Sequence, residues 1–218
     1  MSRTIAIGDI HGCLPALETL LAEICPAADD EIVILGDYVD RGPQSKEVID
    51  RLIELAGRCR LIPLLGNHEE MMLQVIDGQR QLYVDWLLFG GEETLRSYGA
   101  ALPEELPAAH VDFLHGCLLI HEMDTFFFVH GSYLADQPLD AQPRDVLLWD
   151  SIKKRLPGPH CSGKTAIVGH ASQHGGEIRD LGYLKCIDTW CYGNGWLTAL
   201  DIGSGRIWQA DKTGRMRA

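Results

Sequence analysis

The sequence predicts an α/β fold built on a parallel sheet. Two observations carry that prediction. Apolar runs of strand length alternate with helical periodicities over the first third of the chain, and each run stops at a Gly-Asp or Gly-Asn dipeptide.

Taken in order, Thr4 to Ile7 is a first strand ending at Gly8-Asp9, and Leu14, Leu17, Leu20, Leu21 and Ile24 share one helical face. Glu31 to Leu35 is a second strand ending at Gly36-Asp37. Ser45 then caps a helix carrying Val48, Ile49, Leu52, Ile53 and Leu55. Arg60 to Leu65 is a third strand ending at Gly66-Asn67, which completes β-α-β-α-β and calls for parallel pairing. Glu69 to His115 is helical, with turn signals at Gly90-Gly91 and Gly99 and a proline-marked start at Leu102-Pro103. Cys117 to His121 and Thr125 to Val129 form a hairpin ending at His130-Gly131. Ala166 to Val168 ends at Gly169-His170, and runs at Tyr183 to Ile187, Leu197 to Ile202 and Ile207 to Ala210 give a β-rich second half. Arg155 to Thr165 is the linker-like stretch.

The 218 residues suit one domain, residues 1–218. A net charge of -12, from 19 basic and 31 acidic residues, opposes a sequence-independent hold on a nucleic acid polymer or an anionic membrane. A phosphate substrate then needs a locally positive site, which metal ions can make. No apolar run reaches about 18 residues, and Met1 to Thr4 carries no cleavable signal pattern, so a cytoplasmic location is expected. Seven scattered cysteines without a C-x-x-C pair predict reduced, mostly buried thiols.

The chemistry gathers at the strand ends, where open α/β sheets hold ligands. Gly8-Asp9-Ile10-His11-Gly12 offers a carboxylate and an imidazole two residues apart. Gly36-Asp37-Tyr38-Val39-Asp40-Arg41-Gly42 places two carboxylates and a guanidinium after a buried strand, where unpartnered charge costs several kcal/mol. Gly66-Asn67-His68-Glu69 adds an amide oxygen suited to a hard metal and an imidazole that can serve as ligand or acid. His130 and His170 each follow an apolar run. Five such ends on one sheet edge must share a small volume, which favours a metal site over separate core histidines.

The ordered set GDIHG, GDYVDRG, GNHE, HG and GH resembles the calcineurin-like metallophosphoesterase superfamily, and more narrowly the bacterial serine/threonine phosphoprotein phosphatases. The likeness runs from Thr4 to about Ile202. It implies a four-layer α/β/β/α sandwich with two mixed sheets. It also implies that Asp9 and His11 bind a first metal, that Asp37 bridges, and that Asn67, His130 and His170 hold a second. The oxygen and nitrogen donors favour two divalent ions, manganese first, with iron or zinc next. In-line attack of a metal-bridging hydroxide would follow, with His68 as general acid, Asp40 on its other ring nitrogen and Arg41 clamping the phosphate.

Two positions depart from the family. Relatives commonly carry arginine where Ser151 follows Leu148-Trp149-Asp150, and Lys153, Lys154 or Arg155 could replace it. The family's Ile-Asp-Thr-Gly becomes Ile187-Asp188-Thr189-Trp190, so the indole either narrows the pocket or packs in the core. His174 and Tyr192 are pocket candidates by proximity to His170 and Asp188.

Gly158 to Thr165 matches the G-x-x-x-x-G-K-[ST] phosphate loop, but a strand-like run follows it where a helix is required. A flexible surface loop is expected instead.

The first expectation is therefore a phosphatase acting on phosphoserine or phosphothreonine proteins or small phosphate esters. The alternative is a symmetrical bis(5'-nucleosyl)-tetraphosphatase, in which alanine typically precedes the motif arginine and GNHE reads GNHD. Asp40 and Glu69 favour the former. The third reading is a phosphate-binding module without catalysis, against which stand Asp40, Arg41 and His68. The helical segment 71–115 is expected to shape substrate access.

Overall fold

The computed structural model describes residues 2–218. Its elements are β1 (Thr4–Ile7), α1 (Leu14–Ile24), β2 (Glu31–Ile34), α2 (Ser45–Ala56), β3 (Arg60–Pro63), α3 (Asn67–Ile76), α4 (Tyr83–Trp86), α5 (Glu92–Tyr98) and α6 (Ala108–His115). They continue with β4 (Ile120–Glu122), β5 (Phe126–Val129), α7 (Arg144–Trp149), β6 (Thr165–Val168), β7 (Arg179–Asp180), β8 (Leu184–Cys186), β9 (Leu197–Asp201) and β10 (Ile207–Ala210).

Two mixed five-stranded sheets form, in the orders β10-β9-β1-β2-β3 and β4-β5-β6-β8-β7. β1, β2 and β3 are parallel, as are β5, β6 and β8, while β9, β10, β4 and β7 run antiparallel to their neighbours. Strand alternation sorts the apolar residues into three layers. Ile5, Ile7, Ile32 and Ile34 face α1 and α2, while Ala6, Val33, Phe128, Ile167 and Leu200 meet between the sheets. Phe127, Val129, Ala166 and Val168 face Tyr133, Leu147 and Ile152 on the far side. Both faces of each sheet are covered, so the central strands read as unbroken apolar runs. The four-layer sandwich is the architecture present.

Arg3 ties the start of β1 to β2. Its backbone N–H and Nε donate to Asp30 at 2.9 and 3.1 Å, and Asp30 also accepts the Ala27 N–H at 2.9 Å. Pro63 ends β3 on the sheet edge, where a missing donor is tolerated.

Several expected boundaries shift. Leu35 and Leu65 lie beyond their strands, since the chain turns there toward the site. The hairpin starts at Ile120, because Leu118 pairs in a lone bridge with Leu64 instead. Ser45 does not cap α2. Gln44 holds that position, and the Ser45 hydroxyl accepts the Asp40 N–H at 3.2 Å. The turn signal at Gly90-Gly91 falls where the chain does break: Gly90 leaves helical geometry at φ 112°, and the helix kinks there before α5 begins. The loop before β6 is anchored by the Tyr133 hydroxyl donating to the Gly158 carbonyl at 2.9 Å and by buried His160, so it is held rather than flexible. Lys164 pairs with Glu122 at 2.7 Å and no helix follows, as expected of a loop that is not a phosphate cradle. Four of the seven cysteines are buried. Among the described residues no helix is long and apolar enough to cross a membrane.

Candidate metal centre

The loops after β1, β2, β3, β5 and β6 meet at one end of the molecule. The first three belong to one sheet and the last two to the other, so the donors converge between two sheets rather than along a single sheet edge. Left-handed backbone recurs there, at His11 (φ 46°), Asp37 (φ 51°), Asp40 and Arg41 (both φ 68°) and His170 (φ 60°). Each non-glycine residue so held costs about 1–3 kcal/mol, which surrounding hydrogen bonds must offset.

Asp37 is the hub. Its Oδ2 lies 3.4 Å from His11 Nε2 and its Oδ1 lies 3.4 Å from His130 Nε2. Asn67 Oδ1 sits 3.0 Å from both His130 Nε2 and His170 Nδ1. Two tight donor groups result, His11-Asp37-His68 and Asp37-His130-His170, each with its donor atoms within 4.8 Å of one another. The ring nitrogens facing the centre are freed by backbone carbonyls behind them. His11 Nδ1–H donates to Val39 at 2.9 Å and His130 Nδ1–H to Leu35 at 2.7 Å, which leaves each Nε2 as a lone pair.

Asp9 completes the wall. Its Oδ2 accepts the His170 N–H at 2.9 Å, while Oδ1 is buried with no hydrogen-bond partner. Burial, then Asp188 and Asp37, push the Asp9 carboxyl well above its usual range. A cation is the group that such an orphaned acid lacks. Burial opposes the Asp37 carboxylate, yet the surrounding imidazoles, His130 foremost, hold it below the ordinary range. Burial lowers His11 well below the ordinary value and takes His170, with His130 beside it, to about 3. Neutral imidazoles and buried carboxylates are the forms that bind divalent ions. Two glycines make the room: a Cβ at Gly66 would lie 2.2 Å from Asp37 Oδ1, and one at Gly169 would lie 2.3 Å from Asp9 Oδ1.

His68 lies beside this cluster, with Nδ1 donating to Asp40 Oδ2 at 2.8 Å and Nε2 4.0 Å from Asp37 Oδ2. Burial depresses its basicity, but Asp37 and Asp40 outweigh that and raise it. Burial likewise raises Asp40, only partly countered by His68 and Thr94. Arg41 Nη1–H donates to His11 Nε2 at 3.2 Å, and its guanidinium lies 4.6 Å above the Tyr192 ring. All nine sequence-predicted positions thus come together.

The calcineurin-like phosphoesterase family model matches residues 2–200. The chain belongs to that family. It is a metal-dependent phosphoesterase, with these histidines and aspartates positioned to take divalent ions. It is similar to the symmetrical bis(5'-nucleosyl)-tetraphosphatase of Burkholderia thailandensis, 40% identical over 81 residues, or 37% of this chain and 28% of that protein. The enzyme of the same name from Ectopseudomonas mendocina is 26% identical over 93% of this chain and 96% of its own length. A solved structure provisionally described as a diadenosine tetraphosphatase superposes with a TM-score of 0.73 at 21% identity, covering 96% of this chain and 93% of that one.

Other features of this phosphoesterase escape sequence reasoning. Glu69 is fully buried and accepts four backbone N–H groups, from Asp37 (2.8 Å), Tyr38 (2.7 Å), Val39 (3.1 Å) and Gly66 (3.0 Å). It therefore knits the second and third motif loops together. Trp86 and Thr94, from the helical segment, both reach the Asp40 carboxylate. The signal was present in outline, since a buried tryptophan needs a partner for its N–H.

The two departures from the family also find their places. Trp190 keeps a left-handed backbone at φ 67°, the conformation glycine would supply. Its ring stacks on His174, centroids 4.1 Å apart, packs against Gly193, and stands edge-on to Tyr192 at 6.2 Å. It packs at the rim and buttresses Tyr192, whose ring meets His11 at 4.9 Å. Near Ser151, Arg155 pairs with Asp150, whereas Lys153 donates to the carbonyl of Ser172, two residues from His170. Trp149 Nε1 and Arg144 Nε both donate to Glu70 at 2.6 Å, which pins the Leu-Trp segment to α3.

Proposed function

We propose that this phosphoesterase hydrolyses dinucleoside tetraphosphates symmetrically, giving two nucleoside diphosphates. The observation that carries the reading is the likeness to the Ectopseudomonas enzyme over nearly the whole of both chains. The geometry supports it from another side. Glu69 spends its carboxylate on four loop amides, so its identity says little about substrate, and half of the sequence argument for a protein phosphatase falls away.

In this reading Asp9 and His11 would hold one ion, Asn67, His130 and His170 would hold the other, and Asp37 would be shared between them. Manganese is the first candidate, with iron or zinc next, in a cytoplasmic setting. Two such ions supply polarisation of the phosphoryl group and activation of water. Arg41, steadied on Tyr192, clamps the non-bridging oxygens of the attacked phosphate in line with the departing group. As the bond to the bridging oxygen breaks, that oxygen leaves with one nucleoside diphosphate and takes the proton from His68 Nε2. Asp40 keeps the His68 ring oriented through Nδ1.

The second reading, hydrolysis of phosphoserine or phosphothreonine proteins or other monoesters, is favoured by Asp40 itself. A buried carboxylate that serves His68 matters most when the leaving group is an alkoxide, which departs poorly without a proton. The deciding experiment is a turnover panel on metal-stripped protein restored with Mn, Fe, Zn or Mg. It compares diadenosine tetraphosphate with phosphoserine, phosphothreonine and phosphotyrosine peptides and an aryl phosphate. ADP as the sole nucleotide product, at a kcat/KM above that of every peptide, supports the first reading. Phosphate release from the peptides with the tetraphosphate left intact overturns it in favour of the second.

A further inference from the structure

We propose that Trp86 and Thr94 are positioning residues for the Asp40-His68 acid pair, and that the kink at Gly90 between them is the device that brings both to one carboxylate. The inference rests on the reading of His68 as the proton donor.

Asp40 is fully buried, and the torsion of a terminal carboxyl group is broad and roughly two-fold, so nothing intrinsic fixes the plane of its oxygens. Two donors fix it from outside. The Trp86 indole N–H straddles the carboxylate, 3.1 Å from Oδ2 and 3.2 Å from Oδ1, and the Thr94 hydroxyl donates to Oδ1 at 2.7 Å. That leaves Oδ2 aimed at His68 Nδ1, 2.8 Å away.

The same segment grips the backbone on both sides of the carboxylate. Thr94 Oγ1 accepts the Asp40 N–H at 2.9 Å, and the Gly90 carbonyl accepts the Arg41 N–H at 3.2 Å. Ser45 Oγ closes the set, 3.1 Å from Thr94 Oγ1. Trp86 ends α4 and Thr94 lies in α5, and between them Gly90 leaves helical geometry at φ 112°. A glycine at positive φ lets one helix end and the next start at a new angle, so that side chains from both can converge on a single group. The helical segment therefore does more than border the pocket: one stretch sets the angle of the acid pair and the position of the phosphate clamp. A site misplaced by even about 1 Å loses much of its rate, and that is what the two donors prevent.

The test separates positioning from packing by leaving group. The parent holoenzyme and its His68→Asn, Trp86→Phe, Thr94→Val and Thr94→Ser variants are assayed on alkyl and aryl phosphate monoesters, with metal content measured for each. Loss of proton donation slows alkyl esters more than aryl esters, because an aryloxide leaves without help. Trp86→Phe and Thr94→Val are expected to lower kcat on alkyl esters about tenfold more than on aryl esters, within the contribution of a general acid. KM should move less than about twofold, metal content should hold, and Thr94→Ser should recover the parent's discrimination. Should Trp86→Phe fold poorly, the Thr94 pair decides the matter alone.

Equal losses on both ester classes, or loss of metal, overturn the positioning role. If His68→Asn steepens the leaving-group dependence and the Trp86 and Thr94 variants do not, only this inference fails. If His68→Asn leaves the dependence unchanged, the acid reading beneath it fails as well; where the parent turns over neither monoester, the same variants are compared on alkyl and aryl esters of a nucleoside polyphosphate, with the same outcomes deciding.

Discussion

His68 Nδ1 and Asp40 Oδ2 lie 2.8 Å apart with neither residue more than 1% exposed, so the pair is screened from bulk solvent. His68→Asn removes the donor and leaves the donors around Asp37 in place. Turnover on a poor leaving group is expected to fall by about 10²–10⁴-fold while two ions per chain remain bound. Steady-state kinetics beside metal analysis measures both, and full activity in the variant rejects the assignment.

Asp37→Asn strikes the centre instead. An amide offers one neutral oxygen where the carboxylate faces His11 and His130 with one oxygen each. Metal content and activity are expected to disappear together. A variant that still holds two ions at parent affinity would show that Asp37 does not serve both.

Glu69→Gln tests the knot between the motif loops. The amide sets an NH2 group against backbone N–H donors, stranding at least one of the four hydrogen bonds in a fully buried site. A loss of about 2–4 kcal/mol follows, or roughly 5–15 °C in Tm for a chain of this size. Calorimetry reading less than about 1 kcal/mol of destabilisation counts against the knot.

Trp190→Gly relieves a left-handed indole residue, worth about 1–2 kcal/mol, but removes its stack on His174 and its support for Tyr192. The two effects nearly cancel in stability, so Tm changes little. Arg41 loses the ordered ring beneath its guanidinium, and KM should rise severalfold for small and large substrates alike. A change confined to large substrates would show that the indole gates the pocket.

Asp30 supplies the acid limb of the stability curve. Its hydrogen bond from Arg3 lowers the carboxyl from 3.8 to about 2 in the folded chain. Because the folded value lies below the unfolded one, the stabilisation is complete above about pH 4 and is lost as pH falls toward 2. Allowing for the partial exposure of Arg3, it amounts to about 1–2 kcal/mol. Asp30→Asn should lower the urea midpoint at neutral pH and flatten its decline between about pH 4 and 2. Parallel curves for parent and variant would assign acid sensitivity elsewhere.

The parallel core and the metal centre were legible because both leave local marks: strands covered on two faces are apolar throughout, and ligand motifs sit directly at their ends. β10 was bounded correctly at Ile207–Ala210, and α1 at Leu14–Ile24. What the sequence hides is partnership across distance. Nothing near Thr94 announces a bond to a carboxylate 54 residues earlier, and nothing near Glu69 announces amides from Asp37 to Val39. Ser45 misled for the same reason, since a hydroxyl at a helix start suggests capping until the Asp40 loop claims it. The division of the strand ends between two sheets was hidden as well, because pairing is a property of the whole chain.

The His170 N–H bonds to a carboxylate oxygen of Asp9 across 161 residues of sequence, and β1 takes its antiparallel neighbour from β9 near the other terminus. A growing chain that has emerged only through the first three motifs therefore owns Asp9, His11, Asp37 and Asn67 but neither distal imidazole. The site cannot close on the ribosome until most of the molecule has been made. With the ligand set proposed above, acquisition of the ions would be a late event in biosynthesis, and a truncated transcript would yield a chain with the proximal motifs but without His130 and His170.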